Sequence, residues 1–347
     1  MVTTESGSST QKRKTSRLAA TVYMMMRFRY PTWLWVVVLL AWAAGPASSE
    51  AVGTAAQAPE PGEKLFYSDD PEYIVEPGIV GRVAFKRGQR VRVYFYHFSL
   101  MGTEQRFVAE LREQGPGILR YKAATVVSRQ ILPAGRQLTE DWYRARWSER
   151  YLHGHTRLVD AALPHRHLCT GLIELFFEHD GEIVLYVGTD EQEAARDGQA
   201  RRAEYDRITR AAEITVDPAA DRALIDRWGT HCPVIPGDYG LDYELAIRFV
   251  NPTQRRVRYH LMLHPRGGPA TGFLLLDGKP IALPILQTFR PYRFYTFELK
   301  PGRERVIRLW TQTAGGSSAI LNLEAWKGKI DPIYTEVDPE QWKRPPD

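Results

Sequence analysis

The stretch Gly237-Asp-Tyr-Gly-Leu-Asp-Tyr-Glu-Leu-Ala-Ile-Arg-Phe-Val-Asn-Pro-Thr253 decides how this chain is read. Tyr243, Leu245, Ile247 and Phe249 fall on one face, and Glu244, Ala246 and Arg248 on the other. A period of two marks a half-buried strand, because successive side chains point to opposite faces. Asn251-Pro252-Thr253 breaks the strand, and a second alternating run follows at 257–263. Further on, residues 273–276 and 281–283 flank Asp277-Gly278, a tight-hairpin signal. Runs at 292–299, 305–311 and 319–326 follow with no long helix between them. Short strands at this spacing predict an antiparallel β-sandwich over 237–329.

Strand signals recur upstream, at 79–85, 91–98, 106–112, 119–127, 169–178 and 183–187. The run 91–98 is aromatic on both faces, which predicts a central strand covered on both sides. Between them the period changes. Thr139 reads as a helix N-cap with Glu140 and Asp141 in the first turn, where negative charge suits the helix dipole. Tyr143, Trp147 and Tyr151 at four-residue spacing then predict a short amphipathic helix over 139–153. The fold class is therefore mainly β, with two antiparallel β-sandwich domains, 65–190 and 237–329, and short helical insertions. The charged segment 191–236 reads as a helical connector, with a helical patch at 219–228. Residues 50–64 read as a linker and 330–347 as a polar tail.

The formal net charge of +5 invites a nucleic-acid reading. Its distribution rejects that reading. Residues 1–49 hold Lys12, Arg13, Lys14, Arg17, Arg27 and Arg29 against Glu5 alone. Removing these from the totals of 46 basic and 41 acidic residues leaves 40 of each. A nucleic-acid footprint needs a basic domain or stripe. The excess instead flanks an uncharged, largely apolar run from Trp33 to Gly45, followed by Pro46-Ala47-Ser48-Ser49. A basic flank, a short apolar core and small residues are the parts of a secretory signal peptide. Residues 1–49 are thus expected to be an export signal cleaved near Ser49, with an uncleaved N-terminal anchor as the alternative and the only route to a membrane. The expected location is periplasmic, cell-surface or extracellular. Cys169 and Cys232 leave two readings open in such a compartment, a disulfide or two buried thiols.

Gly237-Asp-Tyr-Gly-Leu-Asp-Tyr with Asn251-Pro252-Thr253 resembles a family of exported bacterial proteins known as domain of unknown function 3370. Val93-Tyr-Phe-Tyr-His97-Phe and Thr170-Gly-Leu-Ile-Glu-Leu175 with Asp180-Gly181 are similar to it as well. The resemblance implies export and a sandwich fold. It carries no activity and no catalytic residues.

The site candidates are few. His153-Gly-His155 and His165-Arg-His167 are two His-x-His pairs with Asp160 between them. In extended chain the members of each pair share a face, so together they could ligate zinc or copper. Trp142, Trp147 and Tyr151 form an aromatic group that either packs a helix onto a sheet or stacks against a sugar. Glu174 and Glu178 sit four apart on one strand, about 13 Å, and read as a solvated face. There is no Gly-x-Ser-x-Gly, phosphate loop or His-Glu-x-x-His. No resident cofactor is expected beyond that candidate metal. The leading expectation is a non-enzymatic exported protein that binds or builds through its surfaces, partnered by a glycan or an envelope protein. The alternatives are a carbohydrate-binding protein, and a metal-binding protein or hydrolase built on the histidines.

Overall fold

The alternation in the opening stretch becomes the central strand of a sheet. Tyr243, Leu245, Ile247 and Phe249 are all buried, while Glu244 and Arg248 face outward. The end of that strand is set by Asn251, whose buried side-chain amide donates to the carbonyls of Arg255 and Leu299 at 2.8 and 3.0 Å. Its Oδ1 accepts from the N–H and hydroxyl of Thr253. These four bonds hold the Asn-Pro-Thr turn. Asp277 and Gly278 both take positive φ, 50° and 76°, as the expected two-residue hairpin requires.

A computed structural model of the chain describes residues 49–50, 52–53, 62–69, 72–188, 203–233, 237–317 and 320–329. Residues 1–48 of the leader, the tail at 330–347, most of the linker, and residues 191–202 and 234–236 of the connector lie outside the described residues. Among the described residues no helix is long and apolar enough to cross a membrane.

Four sheets make two sandwiches. The first sandwich has a seven-stranded sheet containing β3 (Glu63–Ser68), β4 (Tyr73–Ile74), β6 (Arg90–Ser99), β8 (Gly117–Ser128), β9 (Ser148–Leu152), β11 (Leu168–Phe177) and β13 (Ala203–Tyr205). Its order is β13-β3-β6-β11-β8-β9, with β4 also on β6. The facing sheet is β10-β7-β12-β5, from β5 (Gly78–Phe85), β7 (Gln105–Glu113), β10 (Thr156–Leu163) and β12 (Gly181–Val187). Val93 and Phe95 of β6, Ile173 of β11, Phe107 of β7 and Leu185 of β12 fill the space between them.

The second sandwich has a five-stranded sheet, β1-β15-β22-β17-β20, from β1 (Ser49–Glu50), β15 (Arg222–Trp228), β17 (Val257–Pro265), β20 (Tyr292–Leu299) and β22 (Leu321–Lys327). Opposite lies β19-β18-β21-β16-β14-β2, from β2 (Val52–Gly53), β14 (Thr209–Thr215), β16 (Asp242–Val250), β18 (Ala270–Leu276), β19 (Lys279–Leu286) and β21 (Glu304–Gln312). Most pairings are antiparallel, but β14 joins β16 and β3 joins β6 in parallel.

Two corrections to the sequence reading bear on the site. The helix is α1, Ile131–Arg144, and not 139–153. Its buried face is Leu132, Gly135, Leu138 and Trp142, a helical spacing. Thr139 is no cap; its hydroxyl donates to the Gly135 carbonyl one turn back. Pro133 and Gly135 disguise this start. Proline is tolerated in a first helical turn, and Gly135 is needed because a Cβ there would overlap the Gly315 carbonyl oxygen. The four-residue spacing of Tyr143, Trp147 and Tyr151 is therefore no helix face: Tyr143 ends α1, Trp147 follows it and Tyr151 lies on β9.

The described part of the connector is strand, not helix. β13 joins the first sandwich, while β14 and β15 join the second, which therefore begins well before residue 237. In β15 a bulge between Leu224 and Asp226 puts Ile225 and Asp226 inside as neighbours, which spoils the alternation that would have marked a strand.

The sandwiches share the compact unit Ser48–Asp347. The outer face of the large sheet, with Tyr94, Tyr96 and Leu172, packs with Leu138 and Trp142 of α1 into one cluster that continues into the second sandwich's core. Strand β6 is thus covered on both faces.

Candidate functional site

The site begins with a charge ladder on the outer face of the large sheet. Lys122, Glu174 and Arg92 stand opposite one another on β8, β11 and β6. Arg92 is 1% exposed. Its Nε donates to Glu174 at 2.6 Å, and its terminal nitrogens reach Asp242 and the Gly240 carbonyl at 2.8 Å and the Ile208 carbonyl at 3.4 Å. Arg90 donates to Glu174 and Glu63, each at 2.7 Å. Glu63 in turn accepts the N–H of Ile208, and Asp242 accepts from Gln312.

This network joins the two sandwiches, since Arg92 and Glu174 belong to the first and Asp242 to the second. The approach of Gly240 makes the bond to its carbonyl reachable: φ is +82°, and a Cβ would crowd the Cβ of Tyr94. Burial by itself would lower the pKa of Arg92, but Asp242 and Glu174 outweigh it and hold the guanidinium above its ordinary value. Burial would raise Glu174, yet Arg92 and Arg90 hold its carboxyl below the usual range. Glu174 therefore does not belong to a solvated face. Glu178 leaves the pair too, accepting the N–H of Ile118.

Beside this ladder opens a cleft of about 840 Å³. One wall is the outer face of the large sheet, the other the outer face of the sheet holding β16, and the end of α1 closes one side. Trp142 and Trp147 both reach its lining, whereas Tyr151 does not. Trp142 is only 2% exposed, with Arg92 at 5.1 Å and Lys122 at 4.1 Å from its ring centre. Its face is already occupied, so it builds the wall. Trp147 is half-buried against Phe176, with Arg120 at 5.2 Å from its ring centre. Tyr151, 64% exposed on β9, neighbours His153.

The accessible ring surface in the cleft comes from two other residues. Tyr143 is 42% exposed, and its ring centre lies 5.8 Å from that of Trp310. Sequence reasoning passed over Trp310, yet the signal was there: Ile307, Leu309 and Thr311 point inward on β21, which turns Trp310 outward. Glu244 stands opposite Trp310 in the β16–β21 register. Partial desolvation and then Asp242 raise its carboxyl, whereas desolvation lowers the Lys122 ammonium.

The histidines do not assemble. His153 and His155 precede β10, and His165 and His167 follow it, so the pairs lie at opposite ends of an eight-residue strand. That is about 25 Å, which separates them beyond any shared metal. His155 approaches Glu110, His165 donates to the Met101 carbonyl and His167 to the His165 carbonyl. Asp160 pairs with Arg106 and Arg157. Among the described residues no group of three or more His, Cys, Asp or Glu is placed to hold a metal ion. Cys169 and Cys232 are not joined: one faces the first sandwich's core and the other belongs to the second cluster.

No family model matches the chain, and no curated protein does. A solved structure of the N-terminal CBM22-1-CBM22-2 tandem domain from Paenibacillus barcinonensis Xyn10C aligns with it at 9% identity, over 83% of this chain and 92% of that one. The TM-score is 0.15, too low to carry any argument about fold or ligand.

Proposed function

We propose that this is a non-enzymatic binding protein acting outside the cytoplasm, that its ligand sits in the cleft between the sandwiches, and that the ligand class is a saccharide. One observation carries the reading: the exposed Tyr143 and the half-buried Trp310 line, as a pair, a cleft whose floor is a fixed charge network. A sugar offers an apolar ring face together with hydroxyls that need oriented partners. Aromatic side chains supply large apolar faces, and small-ligand sites combine such walls with a few placed polar groups. The non-catalytic half of the reading rests on the carboxylates. Glu174 accepts from two arginines, and Asp242 from Arg92 and Gln312. Both are held by these donors, and Glu244, a carboxylate of the cleft without such a donor, is one group where glycoside cleavage needs a pair. Export rests on the leader sequence.

Calorimetric titration with a panel of neutral and charged oligosaccharides, paired with a reducing-end assay, tests both halves. Saturable one-to-one binding without new reducing ends is expected. A blank panel removes the saccharide reading, and release of reducing ends removes the non-enzymatic one.

A further inference from the structure

The cleft is lined by as many acids as bases, but they are not all paired with one another. Arg90, Arg92, Lys122 and Arg308 line it against Glu174, Glu213, Asp242 and Glu244. Arg90 is shared with Glu63, outside the lining. Arg92 is consumed by Glu174 and Asp242. Lys122 lies over Trp142, on the far wall.

Glu244 is solvent-exposed and, among the described residues, makes no ion pair or hydrogen bond through its side chain. The charges acting on it are Asp242 on its own strand and Arg90 and Arg92 across the cleft. Arg308 on β21 and Glu213 on β14, each paired with Ala246, line the same cleft. Desolvation and the like charge of Asp242 disfavour its ionised form, and a cation brought alongside would relieve both.

What stands next to Glu244 is aromatic. Trp310 is its register partner, which sets the two Cβ atoms about 5 Å apart on one face. Tyr143 continues the ring surface. Ring surface lining a cleft beside a carboxylate, here half-buried at Trp310 and exposed at Tyr143, makes the chemistry that recognises an ammonium group, through cation–π attraction and a charge-assisted hydrogen bond.

We propose that the corner formed by Glu244, Trp310 and Tyr143 recognises a protonated amine, and that the saccharide the cleft takes is an amino sugar with a free ammonium group. The sugar half rests on the saccharide reading above, and the amine half does not.

The test is calorimetry at about pH 6.5, where amines of this kind are protonated. The probes are a glucosamine tetrasaccharide, its N-acetylated counterpart, a glucose tetrasaccharide, and ethanolamine and spermidine as amines without sugar. The free-amine tetrasaccharide is expected to bind about tenfold more tightly than the acetylated one. Glu244→Gln should erase that preference without moving the melting temperature, because the side chain has no partner to lose. Equal affinity for the free and acetylated sugars, or a preference that survives Glu244→Gln, overturns the amine assignment and leaves the saccharide reading standing. Binding of ethanolamine or spermidine with no sugar binding keeps the amine assignment and removes the saccharide. Binding of none of the probes removes both.

Discussion

Arg92→Met is expected to destabilise the protein by about 3–5 kcal/mol, the usual cost of removing one partner from a buried ion pair. The reason is what it leaves behind. Glu174 and Asp242 would stay buried, each short of its strongest donor, and the carbonyls of Gly240 and Ile208 would lose theirs. Urea denaturation measures the loss, and a change under about 1 kcal/mol would show that the network is not buried as described. Neutralising the acids in the same chain, Arg92→Met with Glu174→Gln and Asp242→Asn, should recover part of it, because the stranded charges are then gone.

The same network sets an acid limit. Glu174 titrates lower in the folded chain than in the unfolded one. Its contribution is therefore complete above the unfolded carboxylate range, about pH 4.3, and is lost as the pH falls through the folded value. Melting temperature should drop below that range in the parent protein, and less steeply in the triple variant.

Gly135→Ala is expected to cost about 3 kcal/mol, at the upper end of ordinary overpacking. The added methyl would overlap a backbone oxygen, that of Gly315, and not the end of a flexible side chain. Gly315 cannot retreat, because it is itself backed against the Tyr94 hydroxyl. The only relief is for α1 to lift away from the second sandwich. Since α1 carries Tyr143, the variant should also lose affinity in the cleft. Thermal melting and a ligand titration check the two effects. Arg136→Ala, on the same helix with only a long bond to the Leu283 carbonyl, should do neither.

Both predictions concern features that lay beyond the sequence reading, and the reason is separation along the chain. Arg92 meets Glu174 across 82 positions and Asp242 across 150. Nothing local distinguishes Glu174 from an outward-facing acid, so its strand position suggested solvent. Gly135 reads as a helix breaker until its neighbour Gly315, from the other sandwich, is known. By contrast, the run Tyr243 to Phe249, the Asn251 turn and the Asp277-Gly278 hairpin are legible because period and turn chemistry are local properties. The candidate site falls between these cases. Trp142 and Trp147 do reach the cleft, but only the fold reveals that Arg92 and Lys122 cover Trp142. Trp310 was visible as an outward-facing tryptophan on an alternating strand. What the sequence lacked was the partner, Tyr143, that makes it a surface.

That surface is the central claim, and calorimetry on two single variants tests it most directly. The best-binding oligosaccharide from the panel would be titrated into Trp310→Ala and Tyr151→Ala, with melting temperatures recorded for both. Binding should be lost in Trp310→Ala, with a cooperative melting transition retained, and kept in Tyr151→Ala. Parent-like affinity in Trp310→Ala, or loss in Tyr151→Ala, would contradict the assignment of the cleft as the ligand site.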